Sequence, residues 1–169
     1  HRYDVSKVGR YKFNKKMDIW TRLSGQEVAE PIAFVRRYFT ADGGVATNPS
    51  SKLTLTGRCD EADNTMRLVR FTREKANDIA ILNFSTHPDV VTGMEFSADW
   101  PGFVRRFVEK DNPDALCISV TGFQGDSNHV NFFKMTSAER FPHGKAYDHS
   151  RYMGRVVAGA VLTGIIQSS

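Results

Sequence analysis

The rhythm of hydrophobic and polar positions changes about half-way along the chain. Pro31 to Thr40 (PIAFVRRYFT) is dense in β-branched and aromatic residues and stops at Asp42-Gly43-Gly44, which predicts a strand ended by a turn. Lys52 to Thr56 (KLTLT) alternates after the loop Asn48-Pro49-Ser50-Ser51 and predicts a second strand. Met66 to Thr72 (MRLVRFT), behind the acidic loop Asp60 to Asp63, predicts a third. Beyond it the pattern is different. Ile79 to Ser85 (IAILNFS) and Ala115 to Thr121 (ALCISVT) read as continuous apolar runs, the mark of strands buried on both faces. Between them Trp100, Phe103, Val104, Phe107 and Val108 fall at helical spacing on one face. That helix begins near Ser97 or Asp99, carries Pro101 in its first turn and ends at Asn112-Pro113. A last helix is predicted from about His149 to Gln167, with Met153, Val156, Val157, Val161, Leu162 and Ile165 on its buried side. Its glycines, Gly154, Gly159 and Gly164, weaken it on propensity but permit close packing.

Strand, amphipathic helix and strand make a βαβ unit with parallel strands and a right-handed crossover. The fold class is therefore α/β: a mixed sheet with a buried parallel βαβ unit and flanking helices, in a length that fits one domain or a portion of a larger domain. Residues 1–30 form a basic N-terminal segment and 31–169 the α/β portion.

Composition narrows the function classes. The 169 residues are 40% hydrophobic and 25% charged, as in a globular chain, and no apolar run approaches the ~20 residues of a membrane span. No heptad array or internal repeat occurs. Two cysteines, Cys59 and Cys117, with no CxxC motif exclude a disulfide scaffold and thiol redox chemistry, and Cys117 is expected to be a buried small hydrophobe. Residues 1 to 22 hold seven basic side chains against Asp4 and Asp18, within a net charge of +4. Without a nucleic-acid-binding motif this stretch is read as solvated or partner-covered, so no nucleic-acid partner is expected. The chain opens on His1 with no signal-peptide pattern, which reads as a processed, trimmed or excised piece and leaves cytoplasmic and secreted locations both open.

The βαβ unit places two segments on one sheet edge. Thr86-His87-Pro88-Asp89 follows the first buried strand, and Gly122-Phe123-Gln124-Gly125-Asp126-Ser127-Asn128-His129 follows the second. Parallel strands put both at the carboxyl ends, where α/β proteins keep their sites. Two histidines and two aspartates thus converge on one rim. Neutral imidazoles and carboxylates are zinc ligands, or the carboxylate orients a ligating histidine. Gly122 and Gly125 allow a tight turn with N–H groups aimed at an anion. Each residue also has a plain structural role open to it: His87 before proline as a strand end, Asp126-Ser127-Asn128 as turn chemistry. The spacing matches no standard zinc pattern, and Ser127 has no GxSxG elbow. Arg36 and Arg37 alternate on a strand, so at least one faces solvent or a polar pocket, where it could hold a substrate carboxylate. His143 and His149 flank the polar loop Pro142 to Lys145 and are read as surface residues.

Five motifs in order resemble one family. Phe34-Val35-Arg36-Arg37-Tyr38, Thr47-Asn48-Pro49, Asn83-Phe84-Ser85-Thr86-His87-Pro88, Ser97-Ala98-Asp99-Trp100-Pro101-Gly102 and the 122–129 segment resemble the neutral/alkaline non-lysosomal ceramidases. More closely, they resemble the bacterial ceramidase-like proteins with the same N-terminal catalytic domain. The likeness runs from about residue 34 to 131. It implies a zinc-dependent hydrolase of an amide or related acyl bond, with a small-molecule amide or lipid-like substrate. By the resemblance His87 ligates zinc, Arg36 lies by the substrate, and the Gly125-Asp126 turn carries the nucleophile; on the same rim Asp89 is expected to ligate or orient the metal and Gln124 to lie by the substrate. This chain departs from the pattern there. Asn128 stands where the family has its serine, His129 stands where it has proline, and Ser127 is one residue early. The expectation is an altered catalytic set of Asp126, Ser127, Asn128 and His129, with His129 joining a modified metal site. The family's upstream His-x-His ligands and downstream glutamate and tyrosine are missing, so companion segments are expected as partners. The alternative is a non-catalytic α/β module that binds a ligand or protein at the same sheet edge.

Overall fold

A computed structural model describes residues 13–14, 19–134 and 136–167, with side chains from residue 25 onward. Arg2, Lys7, Arg10, Lys12, Lys15 and Lys16, six of the seven basic residues of the opening stretch, lie outside the described residues. The elements are β1 (Phe13–Asn14), β2 (Ile19–Glu27), β3 (Phe34–Val35), β4 (Arg37–Thr40), β5 (Val45–Thr47), β6 (Leu55–Arg58), β7 (Thr65–Arg73) and β8 (Asp78–Phe84). Then come α1 (Asp99–Asp111), β9 (Ala115–Thr121), β10 (Ser127–Asn128), α2 (Ser137–Arg140) and α3 (Tyr147–Gln167). The main sheet runs β1-β2-β7-β8-β9; its strands are antiparallel except the β8–β9 pair, which is parallel in register Asp78↔Ala115 to Phe84↔Thr121. The mixed α/β architecture and its parallel βαβ unit are as the sequence predicts.

The core lies between that sheet and two helices. Met66, Leu68, Ala80, Leu82, Phe84 and Cys117 from the strands meet Trp100, Val104 and Val108 of α1 and Met153, Val157, Val161 and Ile165 of α3. Burial of Cys117 pushes its thiol up to about 12, so it is an inert hydrophobe. The helices cross where α3 has Gly154, whose added Cβ would run into the Cβ of Phe103 and lie 3.1 Å from the Trp100 carbonyl oxygen. That close approach is the reason for glycine there. Val156 and Leu162, expected on the buried side, pack at its margin, half-buried.

Three expectations are corrected. Pro31 to Thr40 is not one strand: the chain breaks at Arg36, and β3 pairs with β10 while β4 joins β5 and β6 in a separate sheet. The Arg36 N–H bonds the Asp126 carbonyl (3.2 Å) and its carbonyl accepts from Asn48 N–H (2.8 Å), so its backbone serves two segments that no single ladder could. The strand predicted at Lys52 to Thr56 sits later, at Leu55–Arg58, after a turn that closes on Ser50. Finally, β8 and β9 are not covered on both faces. Leu116, Ile118 and Val120 are 44–48% exposed, because both long helices lie on the other side of the sheet.

Candidate functional site

Two pins set the carboxyl edge of the parallel pair. Gly122 N–H bonds the Phe84 carbonyl (3.0 Å), and an added Cβ at Gly122 would collide with Ser85 Oγ and Asn83 Oδ1, so the chain can leave β9 here only without a side chain. Asp99, buried at the start of α1 with φ 50°, accepts from Val91 N–H (2.8 Å) and Ser150 Oγ–H (2.8 Å). It ties the loop after β8 to both long helices. Trp100 Nε1–H reaches the His87 carbonyl (3.3 Å) and holds that residue in place.

A third pin delivers the arginine. Asn64 accepts from Ile32 N–H (3.0 Å) and Ala33 N–H (2.9 Å) and donates to the Ala33 carbonyl (2.9 Å), which fixes the approach to β3. β3 then pairs with β10, Val35 opposite Ser127 and Phe34 opposite Asn128. Arg36 Nε donates to Asn48 Oδ1 (3.2 Å), and its Nη1 donates to the Gly125 carbonyl (3.3 Å) and lies 3.3 Å from His87 Nε2. A guanidinium only donates, so His87 Nε2 is the acceptor and its ring proton sits on Nδ1.

The remaining predicted residues divide into groups. Arg37 grips one carboxylate oxygen of Asp126 through Nη2 (2.9 Å) and Nε (3.3 Å) in an exposed pair. Ser127 is buried with no partner for its Oγ among the described residues, and Asn128, also buried, turns Oδ1 back on the His129 N–H (2.6 Å). Gln124 takes the Ser127 N–H on its backbone carbonyl (3.0 Å), while its side-chain Oε1 is buried and unpartnered. His129 Nε2 lies 3.6 Å from Oδ1 of Asp89, which is 54% exposed. His87, Arg36 and the Gly125–His129 turn are thus brought together from three separate stretches of sequence.

Sequence reasoning missed His149. Expected at the surface, it is 4% exposed, with its ring centre 5.2 Å from that of His129 and 5.0 Å from Phe141. Among the described residues neither of its nitrogens has a hydrogen-bond partner of good geometry, nor has His129 Nδ1, and the nearby His129 backbone raises His149 only in part against its burial. Burial is the main cause that lowers both imidazoles: His129 falls below its ordinary value despite the opposing charges of Asp89 and Asp99, and His149 falls to about 4. His87 also bears on His129, in the same downward direction. Both rings of the buried pair are neutral at pH 7. His143 stays exposed, stacked on Tyr152 with ring centres 4.0 Å apart.

Imidazole and carboxylate are suitable zinc donors, yet among the described residues no group of three His, Cys, Asp or Glu side chains converges on a common point. The His87 Nε2 lone pair is engaged by Arg36, and a guanidinium repels a cation. The described residues alone do not make a zinc site.

The same fold occurs in solved structures. Neutral ceramidase from Pseudomonas aeruginosa matches with TM-score 0.57 and 16% identity over 85% of this chain. A ceramidase complexed with C2 matches with TM-score 0.58 at the same identity and coverage. The fold is ceramidase-like. This chain spans 22% of the length of each ceramidase. At that identity the ceramidase likeness is one of fold alone. No family model matches the chain. Among curated proteins, β subunits of DNA-directed RNA polymerase from Streptococcus gordonii and Streptococcus sanguinis share 62% and 59% identity over 32 residues. That is 19% of this chain and 3% of theirs, too short a stretch to inform fold or partner.

Proposed function

We propose that this chain forms part of the catalytic rim of a hydrolase acting on an amide or related acyl bond. The observation that carries the reading is the Arg36–His87 contact closed by the Gly125 carbonyl, since it joins three of the motifs at the carboxyl edge of the parallel pair. In this reading Arg36 offers its guanidinium to a substrate oxygen, and His87, whose Nε2 accepts from Arg36, holds that guanidinium in position. His129, neutral and with Nε2 3.6 Å from Asp89, is the proton acceptor of the rim. Neither Ser127 nor Asn128 is placed as a nucleophile, because both are buried and Asn128 is held by its neighbour's N–H. Water is the attacking group, giving up a proton to an imidazole that returns it to the leaving nitrogen. Zinc enters the proposal in a narrower form. His87 and Asp89 would hold it only together with donors from companion segments outside the described residues, so no step runs through the metal.

The test is hydrolysis of fluorogenic N-acyl amides and acyl esters of increasing chain length by the full chain, with zinc supplied and with zinc chelated. Arg36→Ala and His87→Ala are measured beside it. Turnover that either variant loses, at unchanged melting temperature, supports the reading. Absence of turnover in both conditions, with an acyl amide still raising the melting temperature, instead selects a non-catalytic module that binds ligand at this edge.

A further inference from the structure

Two phenylalanines at the seam of the long helices are framed by arginines from both. Phe103 and Phe107, one turn apart on α1, are half-buried and stack with ring centres 6.4 Å apart. The guanidiniums of Arg106, from α1, and Arg151, from α3, both lie over the Phe103 ring, 5.8 and 5.7 Å from its centre. That of Arg155, one turn further along α3, lies over Phe107 at 5.6 Å. These contacts join five side chains into one strip, and all three arginines are exposed. Phe103 and Arg106 also line a groove of about 550 Å³, with Ala98, Gly102 and Tyr147.

Little of this charge is neutralised within the chain. Glu109 is engaged by Arg105 (3.0 Å) and by the Cys117 N–H (3.1 Å), and Asp148 meets Arg151 at 3.6 Å. Among the described residues Arg106 and Arg155 have no carboxylate partner. Lys110, exposed one turn after Arg106, adds to the positive charge of α1. A guanidinium laid on a ring gives up rotamer freedom before any partner arrives, and it keeps its N–H donors for carboxylates. With guanidiniums over both rings, the aromatic faces are taken and are not open to the bases of a single-stranded nucleic acid. An apolar row edged by cations complements an apolar row edged by carboxylates. We propose that the Phe103–Phe107 strip docks a glutamate-rich amphipathic helix of a partner protein. The strip uses no residue of the candidate site, so this proposal and the hydrolase reading can each fail alone.

Fluorescence anisotropy tests it, with the full chain at low ionic strength and a fluorescein-labelled peptide of glutamates with leucines at helical spacing. The wild-type chain is expected to bind, less tightly as salt rises. Arg106→Gln/Arg151→Gln/Arg155→Gln should weaken binding roughly tenfold, as three exposed ion pairs imply, with a little-changed melting temperature. Lys52→Gln/Lys75→Gln/Lys134→Gln removes the same charge from exposed positions elsewhere and should bind like wild type. A wild-type chain that does not bind the peptide, equal binding by the arginine variant, or equal loss in the lysine variant overturns the proposal. So does an oligothymidylate of matched charge that binds more tightly and loses its affinity in the arginine variant.

Discussion

The imidazole of His149 lies 5.2 Å, ring centre to ring centre, from that of His129, and among the described residues three of the four ring nitrogens in this buried pair have no hydrogen-bond partner of good geometry. His149 comes from the first turn of α3 and His129 from the end of the turn after β9, so the contact fastens the long helix to the site. The fold holds both rings neutral, and folding therefore depends on pH.

For His149 the folded value is about 4, below the ~6.5 of an unfolded chain. The unfolded state therefore binds more protons between those values, and stability rises as pH rises through the window from about 4 to 6.5. His129 is lowered too and acts in the same direction. Urea unfolding between pH 4 and pH 8 should show a gain on the order of 2 kcal/mol across that window. His149→Phe should flatten the curve; an unchanged slope would contradict the burial of His149.

Arg70 and Asp78 form a largely buried ion pair, through Nη2 (2.7 Å) and Nε (2.9 Å), and Arg70 Nη1 also bonds the Ile165 carbonyl near the end of α3. Asp78 further accepts from Arg73 N–H (3.1 Å). Asp78→Ala should cost ~2–4 kcal/mol, because it removes the largely buried carboxylate that both the Arg70 guanidinium and the Arg73 N–H engage. The double variant Arg70→Met/Asp78→Ala should recover part of that loss in chemical unfolding.

Two glycines of α3 make opposite predictions. Gly159 is exposed with nothing near its missing Cβ, so Gly159→Ala should gain ~0.5–1 kcal/mol from helix propensity alone. Gly154→Ala drives a methyl into Phe103 and the α1 backbone, and should instead cost ~1–3 kcal/mol. Thermal melts of the two variants moving in the same direction would refute the α1–α3 crossing.

The two faces of the sheet are likewise separable. Leu82→Ala, beneath the helices, should cost ~2–5 kcal/mol. Ile118→Thr on the open face should change stability by less than ~1 kcal/mol and raise solubility.

Much of the scaffold is legible in the sequence because it rests on local pattern. α1 and β9 lie where helical spacing and an apolar run put them, since Trp100, Val104 and Val108 form one stripe and Pro101 fits a first turn. The juxtaposition of His87 with the 122–129 turn follows from parallel strands alone, since parallel pairing puts both strands' carboxyl ends at one edge. His149 was readable in part. It continues the four-residue spacing of Met153, Val157, Val161 and Ile165, and so belongs to the buried stripe, but its polarity and the adjoining loop argued for the surface.

Other features depend on partners far along the chain. Arg36 breaks an otherwise strand-like run because Asp126, ninety positions later, takes its N–H, and no local propensity carries that information. The apolar runs of β8 and β9 state that burial is favourable without saying which faces are covered; only the placement of both helices on one side leaves Leu116, Ile118 and Val120 open. The sequence by itself determines the α/β class, the parallel unit and the edge that carries the candidate chemistry, since these follow from periodicity and connection. The tertiary structure alone decides that Arg36 meets His87, that Asp126 is held by Arg37 and that His149 lies against His129. Side-chain contacts across long loops depend on how layers pack, and packing is a property of the whole chain.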